Sequence, residues 1–125
     1  MNTKILLYNF TVEEYKEWAL ALKHVPMVDP VFVDRESFHK PLATLLGASV
    51  ETFQDLPDYN FDGRMLVLVN ASGKVFQYLL AVSKMVTKEH IYCAVLTETN
   101  QSWTSSYLYE HLVEEEAEMM ARRSE

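Results

Sequence analysis

Three runs of consecutive apolar residues limit what this chain can become more than any other feature: Lys4–Tyr8 (KILLY), Arg64–Val69 (RMLVLV) and Ile91–Leu96 (IYCAVL). A strand with one wet face alternates apolar and polar side chains. A strand apolar throughout is covered on both faces, the usual condition of a parallel sheet lying between helices. A fourth segment, Met27–Val33 (MVDPVFV), carries Asp29-Pro30. Proline offers no N–H to a sheet ladder, so this strand is expected at an edge or a bulge.

Between the runs the hydrophobic period changes to that of a helix. Over Val12–Val25, the side chains of Tyr15, Trp18, Ala19 and Leu22 share one face. Thr11 and Glu14 have capping-box spacing, and Phe10 and Tyr15 that of a hydrophobic staple. Lys74–Lys88 repeats the pattern with Val75, Leu79, Val82 and Val86, starting from Ser72 or Gly73. A short helix is predicted over Pro41–Leu46 with Gly47 as its stop, and a last one from Trp103 to Ala121. The predicted order is β-α-β-α-β-α-β-α: a three-layer, mostly parallel four-stranded α/β sheet with helices on both faces. Gly and Pro are too few to supply a linker, no internal repeat is evident, and residues 1–125 read as a single domain. Ala48–Gly63 has no clear period. It reads as a loop pinned by Phe53, Tyr59 and Phe61, with a lid or binding loop as the alternative.

Charge and composition exclude several roles. The net charge is −7 and the basic residues are scattered, which argues against nucleic acid as a partner. No apolar stretch reaches the ~20 residues that span a bilayer, so no membrane association is expected. A single cysteine, Cys93, fits a reducing compartment, and with no signal-peptide pattern the expected location is the cytoplasm. Cys93 is expected to be a small buried hydrophobe. The four histidines, His24, His39, His90 and His111, lack ligand spacing, so no metal or other cofactor is expected. No nucleophile–base pair stands out, so an enzyme is the least favoured of the readings. Receiver domains of two-component signalling are also alternating α/β chains. They carry a phosphorylatable Asp where this chain has Asn70, so that chemistry is excluded here.

Ligands of parallel α/β sheets sit beyond the carboxyl ends of the strands, where helix N-termini favour anions. The residues there are Asn9 after the first strand, Asn70 after the third, and Thr97, Thr99, Asn100, Trp103 and Thr104 after the fourth. They form the candidate ligand-binding set, although Ser, Thr and Asn at such places also serve as plain helix caps. The leading functional expectation is therefore a binding or regulatory module holding an anionic small molecule or a partner protein at this rim. The alternative is a self-associating module, a homodimer joined through the overhanging end of the last helix at Val113, Ala117, Met119 and Met120. A small enzyme is the third reading.

The stretch from Cys93 to Thr104 (CAVLTETNQSWT) resembles the K-A-V-L-T-x-T-N-x-x-W-T segment of a small bacterial family, domain of unknown function 3783, with Cys93 in place of the usual Lys. Lys4–Asn9 and Pro41–Gly47 also look similar to that family. The resemblance implies a stand-alone cytosolic bacterial domain with no assigned activity. It adds weight to Thr97, Thr99, Asn100, Trp103 and Thr104 as a shared surface or cap.

Overall fold

A computed structural model describes residues 3–25, 28–47 and 61–123. Its elements in chain order are β1 (Thr3–Tyr8), α1 (Val12–Leu22), β2 (Val28–Phe32), a 3₁₀ turn (Arg35–Ser37), α2 (Leu42–Leu45), β3 (Arg64–Val69), α3 (Gly73–Val86), β4 (Ile91–Val95), a second 3₁₀ turn (Asn100–Ser102) and α4 (Ser105–Arg123). The expected lid or loop over Ala48–Gly63 lies, up to residue 60, outside the described residues. The chain forms two compact units, one of Met1–Val33 with Asp62–Leu96 and one of Asp34–Phe61 with Thr97–Glu125.

The first unit is a four-stranded sheet in the order β2-β1-β3-β4 with α1 and α3. β1 pairs with β2 in parallel, and β3 with β4 in parallel, but β1 and β3 run antiparallel. The expectation that the three apolar strands are mutually parallel is thus wrong for β1. An unbroken apolar run reports that both faces of a strand are buried, and an antiparallel pair in the middle of a sheet meets that condition equally well. β2 lies at an edge, as Pro30 required.

The two halves of this unit repeat one another, a symmetry that the side-chain identities hide. Leu6 faces Val67, with Ile5 facing Leu68 and Leu7 facing Leu66, so a local two-fold axis passes between Leu6 and Val67. β2 sits on β1 as β4 sits on β3. Thr3 faces Val28 where Arg64 faces Ile91, and Leu7 faces Phe32 where Leu68 faces Val95. Each half then closes with the same hydrogen bond, Val33 N–H to Leu7 O at 3.0 Å and Leu96 N–H to Leu68 O at 2.9 Å. Each inner strand also ends in an asparagine of positive φ, Asn9 at 64° and Asn70 at 58°. A hydroxyl N-cap follows in both: Thr11 opens α1 in a complete capping box with Glu14, and Ser72 opens α3 by accepting from Val75 N–H.

One face of the sheet, with Ile5, Leu7, Leu66 and Leu68, packs with Phe10, Trp18, Leu22, Val28, Leu79 and Val82. Burying each of these large side chains contributes roughly 1.5–3 kcal/mol. Leu6, Tyr8, Met65 and Val67 on the other face are fully buried as well. The Phe10–Tyr15 staple is formed, with ring centroids 5.8 Å apart. Arg64 Nε donates to Glu14 Oε1 at 2.8 Å, tying α1 to the start of β3.

The second unit contains α2, α4 and both 3₁₀ turns. Pro41 and Thr104 face each other in an isolated antiparallel bridge, and Leu42 N–H donates to Trp103 O at 2.9 Å. This pairing turns Trp103 into an extended residue, so α4 starts at Ser105 and not at Trp103. Phe61 is stacked between Phe38 and Tyr109 at centroid distances of 4.5 and 4.2 Å. Only Ser105, Ser106 and Leu108 of α4 are buried.

Candidate functional site

The antiparallel centre of the sheet divides the expected rim. Tyr8 faces Met65, so Asn9 lies at the start of β3, where its Nδ2 donates to Gly63 O at 3.0 Å. Asn70 lies at the opposite end of the sheet, where its carbonyl accepts from Thr3 Oγ1 at 2.9 Å. The two asparagines therefore cannot share one ligand. Each is the left-handed residue that turns an inner strand into its helix, a conformation asparagine tolerates better than most side chains.

The segment after β4 is a closed turn. Thr97 N–H donates to Asn100 Oδ1 at 2.8 Å, and Asn100 N–H donates to Thr97 Oγ1 at 3.1 Å. Gln101 N–H adds a bond to Thr97 O at 3.1 Å, and Asn100 is buried. Thr104 Oγ1 accepts from Tyr107 N–H at 3.2 Å and starts α4. Thr97, Asn100 and Thr104 thus hold the turn itself. Thr99 is exposed, and its side chain caps nothing.

Trp103 differs from these. Its ring meets Tyr107 edge to face at 4.8 Å and His111 at 5.1 Å. The three rings recur four residues apart, Trp103 just before α4 and Tyr107 and His111 on its first turns. Beside them Tyr107, Glu110, His111 and Glu114 line a cleft of about 200 Å³, and His111 Nε2 lies 2.9 Å from Glu115 Oε1. Drug-sized ligands occupy roughly 300–1,000 Å³, so this cleft has room for one side chain and not for a nucleotide. Its acids favour a cation, which aromatic faces also attract. Trp103 stands out in the sequence, whereas Tyr107, His111, Glu110 and Glu114 join the site only through the fold. The four-residue spacing of Trp103, Tyr107 and His111 is the one signal of them in the sequence.

A larger cavity, of about 460 Å³, lies between the end of α3 and β4, lined in part by Leu80, Lys84, Lys88, His90, Ile91 and Cys93. Cys93 is exposed on β4 and free, not buried as expected, because β4 is an edge strand. Its surroundings still exclude enough water to push its thiol pKa above the ordinary value, which keeps it a poor nucleophile. Among the described residues, no group of three His, Cys, Asp or Glu side chains converges on a point where a metal would sit. No helix among them is long and apolar enough to cross a membrane.

The first unit is an α/β sheet built from two like halves, and the second unit carries an aromatic–acidic cleft on α4. Residues 64–119 match the family described as Domain of unknown function (DUF3783), and over that stretch the chain resembles it. The match runs from β3 into α4 and includes Trp103, Tyr107 and His111. Lys4–Asn9 and Pro41–Gly47 lie outside it. Lys4–Asn9 occupies in its own half the place of Met65–Asn70 in the other. No curated protein matches the chain, and no solved structure does.

Proposed function

We propose that this chain is a cytoplasmic binding module that recognises a partner protein through the cleft beside Trp103, taking up one cationic side chain, an Arg or a Lys. The observation that carries the reading is the half-exposed Trp103–Tyr107–His111 ladder with Glu110 and Glu114 at its side. A guanidinium or ammonium group there gains both ring and carboxylate contacts. An anionic small molecule is disfavoured, since the acids would repel it and the hydroxyl and amide groups of Thr97, Asn100 and Thr104 already serve the turn.

Fluorescence tests this directly. The chain has two tryptophans, and Trp18 is fully buried, so a ligand-induced change in emission reports on Trp103. Titration with N-acetyl-arginine amide or an arginine-rich peptide is expected to shift the emission, and E110Q/E114Q is expected to abolish the shift. A response to inorganic phosphate and none to the arginine probes would restore the anionic reading.

Self-association is the second reading. Met119 and Met120 are 55% and 61% exposed on the last turns of α4, and a two-fold partner is a common cover for such side chains.

A further inference from the structure

We propose that the cavity of about 460 Å³ between the end of α3 and β4 binds a small organic anion, its charged head at Lys84 and Lys88 and its apolar body against Leu80, Ile91 and the Cys93 side chain. The first support lies in the sequence. Between Asp62 and Glu89 the chain has no acidic residue, although its net charge is −7. The basic residues of that stretch are Arg64, Lys74, Lys84 and Lys88. Arg64 is taken by Glu14, at 2.8 Å. Lys84 and Lys88 are exposed, and among the described residues the ammonium group of neither enters an ion pair or a hydrogen bond.

The fold brings these two lysines to one opening. Lys84 stands on the last turn of α3 and Lys88 just beyond its end, and both line the cavity. Glu89 lines it too, so two ammonium groups stand against one carboxylate and the wall stays positive. The last carbonyls of a helix repel an anion unless they have donors of their own. Here Leu80 O accepts from the Ser83 hydroxyl at 2.6 Å, and Ser83 O from Thr87 N–H at 3.3 Å. The Thr87 hydroxyl accepts in turn from Glu89 N–H at 3.1 Å. The hydroxyls thus serve the helix end, and the lysines are left to meet a ligand.

Size and lining define the rest of that ligand. The cavity falls within the range of roughly 300–1,000 Å³ that small molecules occupy, whereas the cleft beside Trp103 does not. Leu80 and Ile91 are half-buried and offer an apolar wall, and the lysine stems extend it while their heads stay in water. Every lining residue belongs to the first unit, and none to the cleft on α4. An anion carrying a short aliphatic or aromatic body satisfies both parts of the wall. A bare inorganic anion leaves the apolar part wet, and a neutral apolar molecule leaves the lysines unused.

Cys93 is the chain's one cysteine and stands on the cavity wall, so its alkylation by iodoacetamide reads occupancy. Mass spectrometry of the full chain follows the rate. Millimolar hexanoate is expected to slow alkylation several-fold, whereas acetate (the head without the body) and 1-hexanol (the body without the head) slow it much less. K84Q/K88Q is expected to lose the protection by hexanoate. Amide shifts over residues 87–93 of the native chain should move on titration with hexanoate, a readout that needs no variant. Absence of protection by hexanoate, protection that survives in K84Q/K88Q, or equal protection by 1-hexanol overturns the proposal. The arginine response of Trp103 should persist in K84Q/K88Q, so this test and that of the cleft fail independently.

Discussion

At the scale of single residues, Asn9 and Asn70 show how one backbone need is met twice and then used differently. Both hold a positive φ, but Asn9 also donates from its side chain to Gly63 O. Asn70→Gly is therefore expected to leave stability nearly unchanged, because glycine adopts that conformation freely. Asn9→Gly should cost about 1 kcal/mol for the lost hydrogen bond. Urea denaturation of the two variants measures the difference.

Glu14 makes a second case. Burial opposes its ionisation, but hydrogen bonds from Arg64, the Thr11 backbone and Thr87, together with the Arg64 charge, outweigh this and hold its carboxyl below the ordinary value. A carboxyl whose folded-state pKa is depressed stabilises the fold fully above its unfolded pKa, and that gain disappears as pH falls through the folded value. Acid titration of stability should therefore show a smaller loss in Glu14→Gln than in the native chain, with the variant the less stable of the two at neutral pH.

Among the elements, the turn between β4 and α4 is where local chemistry does the most. Asn100 and Thr97 bond each other reciprocally within a buried turn, so Asn100→Ala should cost about 0.5–2 kcal/mol, the usual range for a lost cap. If Asn100 only shapes the turn, Asn100→Asp should recover much of that stability, since the carboxylate also accepts from Thr97 N–H. Thermal melts of the two variants read this out. The elements themselves were largely legible in the sequence: β3 matches Arg64–Val69, and the box at Thr11 and Glu14 and the stop at Gly47 are as expected. Boundaries moved where a distant segment intervened, as when the Pro41–Thr104 bridge held Trp103 out of α4.

For the molecule as a whole, the end of α4 is the surface on which the self-association reading rests. The buried part of α4 stops at Leu108. A chain ending at Leu112 is thus expected to keep its sheet, which circular dichroism measures. A fall in sedimenting mass from dimer to monomer on that truncation would assign association to Met119 and Met120.

The sequence by itself determined the strands and helices, the edge position of β2 and the caps, because each depends on side chains within a few residues of one another. It also marked Trp103, through its neighbours in the motif. Strand direction at the centre of the sheet, the repeat of the two halves and the exposure of Cys93 were decided only by the tertiary structure. Apolar runs record how much water a strand meets, not which way its neighbour runs. The repeat is held in the register of Leu6 against Val67, a pairing between residues that only folding brings together.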